Sequence, residues 1–280
     1  FPNETLPKGR KQKTTSLYDR FISKGAVMGD SFGLENVLWF ANNPEDAHEE
    51  PTIKRPRSHE YVSKEVKNVR ENVGVIEIAN FSKHEFQGAE SRNFLDYVLA
   101  GKIPKPGRIT LNPMLSPKGK LYGDLTVACL TENKFLIFGS GAVQEMHRRW
   151  FEMHLGNFDV TYKNKSDDLH GLALSGPKSR KLLQKLVREN ISNENFKFRD
   201  VREMYVGSML AIVNRISFTG ELGYEIYVSP HFQLKLYEEI EIAGKEFNLK
   251  PFGSRALMSM RLEKNWGAWT LDFRPDFTAK

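Results

Sequence analysis

This sequence predicts an α+β fold of two similar units whose largely antiparallel sheets are flanked by helices, and three observations carry that expectation. Strand-like apolar runs come in groups of two and three instead of alternating singly with helices. One order, strand-strand-helix-strand-strand-strand-helix, is read twice along the chain without sequence identity between the copies. The 280 residues also exceed the usual single domain of roughly 100–150 residues, so two packed units are expected. A doubly wound parallel sheet would need single strands between helices, and the triple-strand runs oppose it.

Residues 1–60 are poorly periodic and read as a connecting arm, with the basic run Lys8-Gly9-Arg10-Lys11-Gln12-Lys13 and a loop-like stretch at 42–51. Within the arm, Val37-Leu38-Trp39-Phe40 must dock, and the first folded unit is the plain choice. That unit is expected over 61–156. Val66 and Val69 suggest a short helix, 73–79 a strand, and Phe94, Leu95, Val98 and Leu99 one face of a helix ended by the Gly- and Pro-rich 101–107. Strands are expected around 108–115, 121–130 and 134–139, followed by a helix from near Ala142 with the apolar face Val143, Met146, Trp150 and Phe151.

The second unit, 157–280, repeats the order. It has strand-like runs at 157–163 and 168–174 and a helix after Gly176-Pro177 bearing Leu182, Leu183, Leu186 and Val187. Strands near 203–207, 208–217 and 223–228 follow, and helices at 231–247 and 254–265 close the chain.

With 40% apolar and 27% charged residues, disorder, collagen and membrane spans are excluded. Forty-one Lys and Arg against thirty-five Asp and Glu leave a formal +6, with the basic residues scattered along the chain. That balance suits an anionic small ligand as well as nucleic acid, and no aromatic-basic motif supports the latter. The single Cys129, inside an apolar run, rules out an internal disulfide or cysteine zinc site and reads as a buried structural thiol. A start without methionine and an end without a closing element suggest a chain excised from something longer. Lack of disulfide chemistry points to a reducing interior, bacterial cytoplasm or mitochondrial matrix.

Two short motifs lead nowhere. Gly139-Ser140-Gly141 lacks the third glycine and the downstream acid of a dinucleotide loop and reads as a tight strand-to-helix turn. Seven histidines show no metal-ligand spacing. His147 and His154 share a helix face two turns apart, for which a surface helix is the plainer reading, and no metal is expected.

Three segments carry chemistry. In Arg215-Ile216-Ser217-Phe218-Thr219-Gly220-Glu221-Leu222-Gly223-Tyr224-Glu225-Ile226, two glycines permit a sharp turn that presents Glu221. A carboxylate held there accepts two parallel N–H donors, as an amino-pyrimidinone edge offers, although an exposed hairpin glutamate is the blander reading. Asp124, at the head of the apolar run Leu125-Thr126-Val127, either caps a turn or points into a polar pocket where it relays a proton. Arg261, at the margin of a helix buried through Leu257, Met260 and Leu262, is either a clamp for a ligand carboxylate or part of a salt bridge to Glu263 or Glu221.

These segments, together with Pro113-Met114-Leu115 and Met260-Arg261-Leu262-Glu263-Lys264, resemble the folate-binding aminomethyltransferase family, the glycine-cleavage T-protein type. A closer resemblance, to the dimethylglycine and sarcosine dehydrogenases, runs through Phe1-Pro2-Asn3-Glu4, Phe32-Gly33-Leu34-Glu35, Gly107-Arg108-Ile109, Gly253-Ser254-Arg255-Ala256-Leu257 and Pro275-Asp276-Phe277. It covers essentially the whole chain. The resemblance implies the aminomethyltransferase folate-binding fold and capture of a one-carbon unit, delivered as an imine from an N-methyl amine, on tetrahydrofolate to give 5,10-methylenetetrahydrofolate.

It further implies a flavin dehydrogenase domain or subunit as partner, with FAD supplied there, since no flavin-binding glycine motif is present and the family's C-terminal barrel is also missing. Asp124 resembles the family's aspartate beside the reacting folate nitrogen, and Glu221 its pterin-edge carboxylate. Arg261 matches the arginine expected near the folate, and Tyr224 and Phe218 resemble residues lining the pocket. Only one carboxylate stands at Gly123-Asp124, where the glycine-cleavage branch has two, and Leu111 stands where many members place a tyrosine. Two rival readings stay open: a non-catalytic regulatory relative that keeps the fold, of the pyruvate dehydrogenase phosphatase regulatory type, and a stand-alone folate-dependent aminomethyltransferase or demethylase.

Overall fold

A computed structural model describes residues 7–49, 52–269 and 271–273. The resembling segments Phe1-Pro2-Asn3-Glu4 and Pro275-Asp276-Phe277 lie outside the described residues. In chain order the elements are α1 (Tyr18–Ile22), β1 (Ala26–Ser31), β2 (Leu34–Phe40), α2 (Ser58–Glu71), β3 (Val73–Glu77), β4 (Phe81–Gln87), α3 (Ser91–Val98), β5 (Arg108–Leu115), β6 (Leu121–Thr131) and β7 (Lys134–Ser140). Then come α4 (Gln144–His154), β8 (Thr161–Asn164), β9 (His170–Ser175), α5 (Ser179–Gln184), β10 (Val201–Val206), β11 (Met209–Asn214), β12 (Gly223–Val228), α6 (Pro230–Gly244), β13 (Leu249–Pro251) and α7 (Ser254–Glu263).

The α+β class holds. A six-stranded sheet runs in the order β10-β11-β12-β9-β3-β13 and a five-stranded sheet in the order β5-β6-β7-β4-β8, every pairing antiparallel except β13 with β3. The sheets exchange strands: β3, from early in the chain, sits between β9 and β13, while β8, from beyond residue 156, pairs with β4. Sheet membership therefore does not follow the sequence order of the two expected units.

Strand alternation sorts the core into layers. Between the sheets, Ile76, Ala173 and Tyr227 of the six-stranded sheet meet Ile109, Ala128, Leu136 and Phe138 of the five-stranded one, joined by Val69 of α2 and Ala256 and Met260 of α7. Phe138 stacks on Tyr227 at 4.6 Å between ring centroids. The outer face of the six-stranded sheet packs on α1, α5 and α6 through Phe21, Leu182, Leu183, Leu236 and Ile240. The outer face of the five-stranded sheet packs on α3 and α4 through Phe94, Leu95 and Phe151.

The arm departs from expectation, since much of it is ordered into α1 and the β1–β2 hairpin. Trp39, fully buried, packs on Tyr61 of α2 at 5.1 Å, and Phe21 meets Tyr237 of α6 at 5.3 Å. The arm thus docks on α2 and α7 through the hairpin and on α6 through α1, rather than on the first unit alone. What holds the hairpin is the α2 carboxylate of Glu65, which accepts the Phe40 N–H at 2.7 Å and the Gly253 N–H at 2.9 Å. The helix marked by Val66 and Val69 is not short: it runs from Ser58 to Glu71.

Candidate active site

Asp124 lies within β6, opposite Pro113 of β5, so it caps no turn. Its neighbours Leu125 and Val127 face α3 and α4, whereas Ala128, in phase with Asp124, belongs to the inter-sheet core. The Asp124 side chain therefore stands on the face turned toward the other sheet. The residue is exposed, yet the protein around it raises the carboxyl above its ordinary range by desolvation. Leu111, in phase with the buried Ile109, is on the same face and 42% exposed.

Glu221 sits in the loop joining β11 to β12. Hydroxyls shape that loop: Ser217 Oγ pairs with Thr219 Oγ1 at 2.7 Å, and Thr219 Oγ1 accepts the Glu221 N–H at 3.2 Å. Gly220 adopts φ 74°, and a side chain there would also collide with Lys264 at the end of α7. The Glu221 carboxylate, 25% exposed, has an ion pair with Lys264 at 3.8 Å. Such a contact is loose enough to be exchanged for a better donor.

Arg261 is engaged. Its side chain is 5% exposed, and Nη1 donates to the Trp266 carbonyl at 2.8 Å and to Asp272. Neither Glu263 nor Glu221 is its partner: Glu263 pairs with Arg70. Nor does the structure bring Tyr224 to the others. One residue out of phase with the inter-sheet Glu225 and Tyr227, it is fully buried in the outer core, stacked on Phe196 and accepting a hydrogen bond from Arg180 Nε at 3.1 Å. Phe218 lies at the inner face with Ser175, Ser217, Glu225 and Leu257 around a cavity of about 20 Å³, too small for a ring system as it stands. A larger recess of about 450 Å³ between α2 and α7, lined by His59, Val66, Arg70 and Glu263, contains none of these residues.

The segment after α7 links the two carboxylate regions. Lys264 touches the Glu221 loop, Trp266 receives Arg261, and Trp269 lies 5.6 Å from the ring of His147, whose Nε2 meets the Tyr122 carbonyl two residues before Asp124. His147 is fully buried, so it does not share an exposed helix face with His154. The signal was available: Trp150 and Phe151 stand three and four residues on, which places His147 on the apolar stripe.

Buried ionisable groups also escaped sequence reasoning: Lys83 and Glu225 between the sheets, and Glu77 on the outer face of the six-stranded sheet, where Gln233 of α6 donates to it. Burial pushes Glu77 and Glu225 up to about 7 and Lys83 down to about 7, and Lys83 Nζ donates to the Ala79 carbonyl at 2.8 Å. Among the described residues no group of His, Cys, Asp and Glu could hold a metal ion, and no helix is long and apolar enough to cross a membrane.

For a reduced pterin the residues fit in part. The carboxylates of Glu221, on the β11–β12 loop, and of Asp124, on the five-stranded sheet, are both reached by solvent, with Leu111 and Phe218 as apolar surface. A cationic clamp for an anionic tail is not among them, because the Arg261 guanidinium is already bonded.

The model of the GCVT N-terminal domain matches residues 17–280. Mitochondrial dimethylglycine dehydrogenase of Homo sapiens is 37% identical over 99% of this chain and 32% of its own length. Aminomethyltransferase of Desulfitobacterium hafniense (strain Y51) is 28% identical over 95% of this chain and 68% of its own. Among solved structures, glycine cleavage system aminomethyltransferase T from Bartonella henselae superposes with a TM-score of 0.79 at 22% identity, covering 95% of this chain and 66% of that one, which shows a common fold. The chain spans about a third of the length of the dimethylglycine dehydrogenases it matches. With the match running over nearly all of its length, the chain belongs to the GCVT N-terminal domain family.

Proposed function

We propose that this chain is the tetrahydrofolate-binding one-carbon transfer module of a dimethylglycine or sarcosine dehydrogenase-like protein. When bound, tetrahydrofolate supplies the two nitrogens that capture the carbon of an imine derived from an N-methyl amine, giving 5,10-methylenetetrahydrofolate as the carbon's bond to the amine nitrogen breaks and the demethylated amine leaves. The observation that carries the reading is the Asp124 carboxylate, exposed on the inter-sheet face of β6, in a chain of this family. Asp124 Oδ takes and returns a proton at the reacting nitrogen, the task of a carboxyl tuned toward neutrality. Glu221 accepts two parallel N–H donors of the ring edge, displacing its loose partner Lys264. Leu111 and Phe218 exclude water beside the ring.

The amine oxidation and its FAD belong to a separate flavin dehydrogenase portion or subunit, in keeping with the third of its relatives' length that the chain spans. By the same kinship the protein acts in the mitochondrial matrix or a bacterial cytoplasm. One observation favours a second reading, the regulatory relative that keeps the fold without using folate: Arg261 is occupied by its own chain.

The test is D124N in the complete protein, with dimethylglycine and separately sarcosine as the amine. Transfer to tetrahydrofolate is expected to fall by about two orders of magnitude while folate affinity stays within about threefold. Wild-type transfer by D124N contradicts the reading, and the absence of any folate binding by the folded wild type selects the regulatory one.

A further inference from the structure

His147 has a seat prepared for it on the outer face of the five-stranded sheet. A Cβ at Gly123 would lie 2.9 Å from its Nε2, and one at Gly139 would lie 3.2 Å from its Nδ1, so the imidazole fills space that side chains on β6 and β7 would otherwise take. Trp269, from the segment after α7, meets the ring at 5.6 Å. Burial holds the imidazole neutral, with its pKa pushed down to about 4. In a neutral ring the nitrogen facing a carbonyl carries the proton, so Nε2–H donates to the Tyr122 oxygen at 3.3 Å and Nδ1 is left as an acceptor.

Nδ1 is buried without a hydrogen-bond partner among the described residues. If the position served packing alone, an aliphatic side chain would fill it without burying an unpaired nitrogen. What the imidazole adds is the bond to Tyr122, on the strand that carries Asp124 two residues later. His147 lies against the outer face of that strand and Asp124 stands on the inner one, so any influence passes through the backbone.

From this geometry we propose that His147 is a positioning residue for Asp124: by holding the Tyr122 carbonyl over Gly123 and Gly139, it fixes where β6 presents the carboxylate. The inference rests on the reading of Asp124 as the carboxylate at the reacting nitrogen. His147 itself touches neither folate nor imine.

The experiment compares wild type, H147L, H147Q and D124N in the complete protein. Its readouts are hydrogen exchange of the amides at 121–126 without ligand, tetrahydrofolate affinity by anaerobic calorimetry, and transfer rate. Losing the bond in H147L is expected to speed exchange and slow transfer by about tenfold each, with affinity within about twofold of wild type. H147Q, whose amide reaches the same carbonyl as a donor, is expected to restore both.

Wild-type exchange and transfer in H147L overturn the inference, as does H147Q as impaired as H147L, which would make ring volume the cause. If H147L does not fold, H147N, one bond shorter, takes its place, and transfer by H147N equal to that of H147Q overturns the inference. Wild-type transfer by D124N removes the reading beneath it, and the inference falls too; loss in D124N with full transfer in H147L overturns the inference alone.

Discussion

Arg261 donates through Nη1 to Asp272, eleven residues further along the chain, and the same nitrogen donates to the Trp266 carbonyl at 2.8 Å. A guanidinium so placed ties the segment beyond α7 to the helix. Replacing it takes the charged donor from that carbonyl and leaves the Asp272 carboxylate with the Ala268 N–H at 2.7 Å.

R261Q is therefore expected to lower stability by about 2–3 kcal/mol, the usual scale for a charged hydrogen bond lost from a buried site. Urea unfolding measures it. Folate affinity of the folded variant should stay within about threefold of wild type, whereas a tail clamp would show intact stability and lost affinity.

Tyr224 makes the same argument from the other side of a sheet. Its hydroxyl accepts Arg180 Nε at 3.1 Å within the outer core, away from the inter-sheet face. Y224F should cost about 0.5–1.5 kcal/mol in unfolding experiments and leave folate titrations unchanged. A selective loss of folate affinity would return Tyr224 to the site.

Glu65 gives a pH signature. Burial pushes its carboxyl up to about 7 despite the Gly253 and Phe40 N–H bonds that favour the ionised form. The folded protein thus holds this proton more tightly than the unfolded chain does. The stability it contributes is fully present below the unfolded pKa and is lost as pH rises through about 7. Between those limits the wild type should lose up to about 1.4 kcal/mol per pH unit relative to E65Q. Chemical denaturation of both proteins at pH 5 and pH 8 checks this, and a stability gap of equal size at the two pH values would refute it.

Much of the fold was legible where apolar periodicity was clean. The strands at 108–115 and 121–131 and the helices α4 and α6 lie within a few residues of expectation. The strand β4 was not placed, because Ser82, Lys83 and His84 are buried polar residues that break the alternation on which strand reading depends. In β2 the buried Glu35, matched by Arg10 at 2.5 Å, hides the pattern in the same way. Sheet membership was illegible for a different reason: pairing β3 with β9 and β8 with β4 is a matter of long-range topology, which local pattern does not encode. At the site, residue type pointed to Asp124, Glu221 and Arg261. Whether a side chain is free depended on distant partners, and Asp272, which occupies Arg261, carries no local signal.

On the proposed reading a reduced folate binds with its ring edge on Glu221. Anaerobic calorimetric titration of tetrahydrofolate into wild type and E221A tests it most directly. Because the Glu221 carboxylate's ion pair among the described residues is the loose, half-buried 3.8 Å contact with Lys264, the substitution should leave folding nearly untouched. Affinity is expected to weaken by about 1–3 kcal/mol, roughly ten- to a hundred-fold, from donors left unpaired. Equal affinity for the two folded proteins would contradict it.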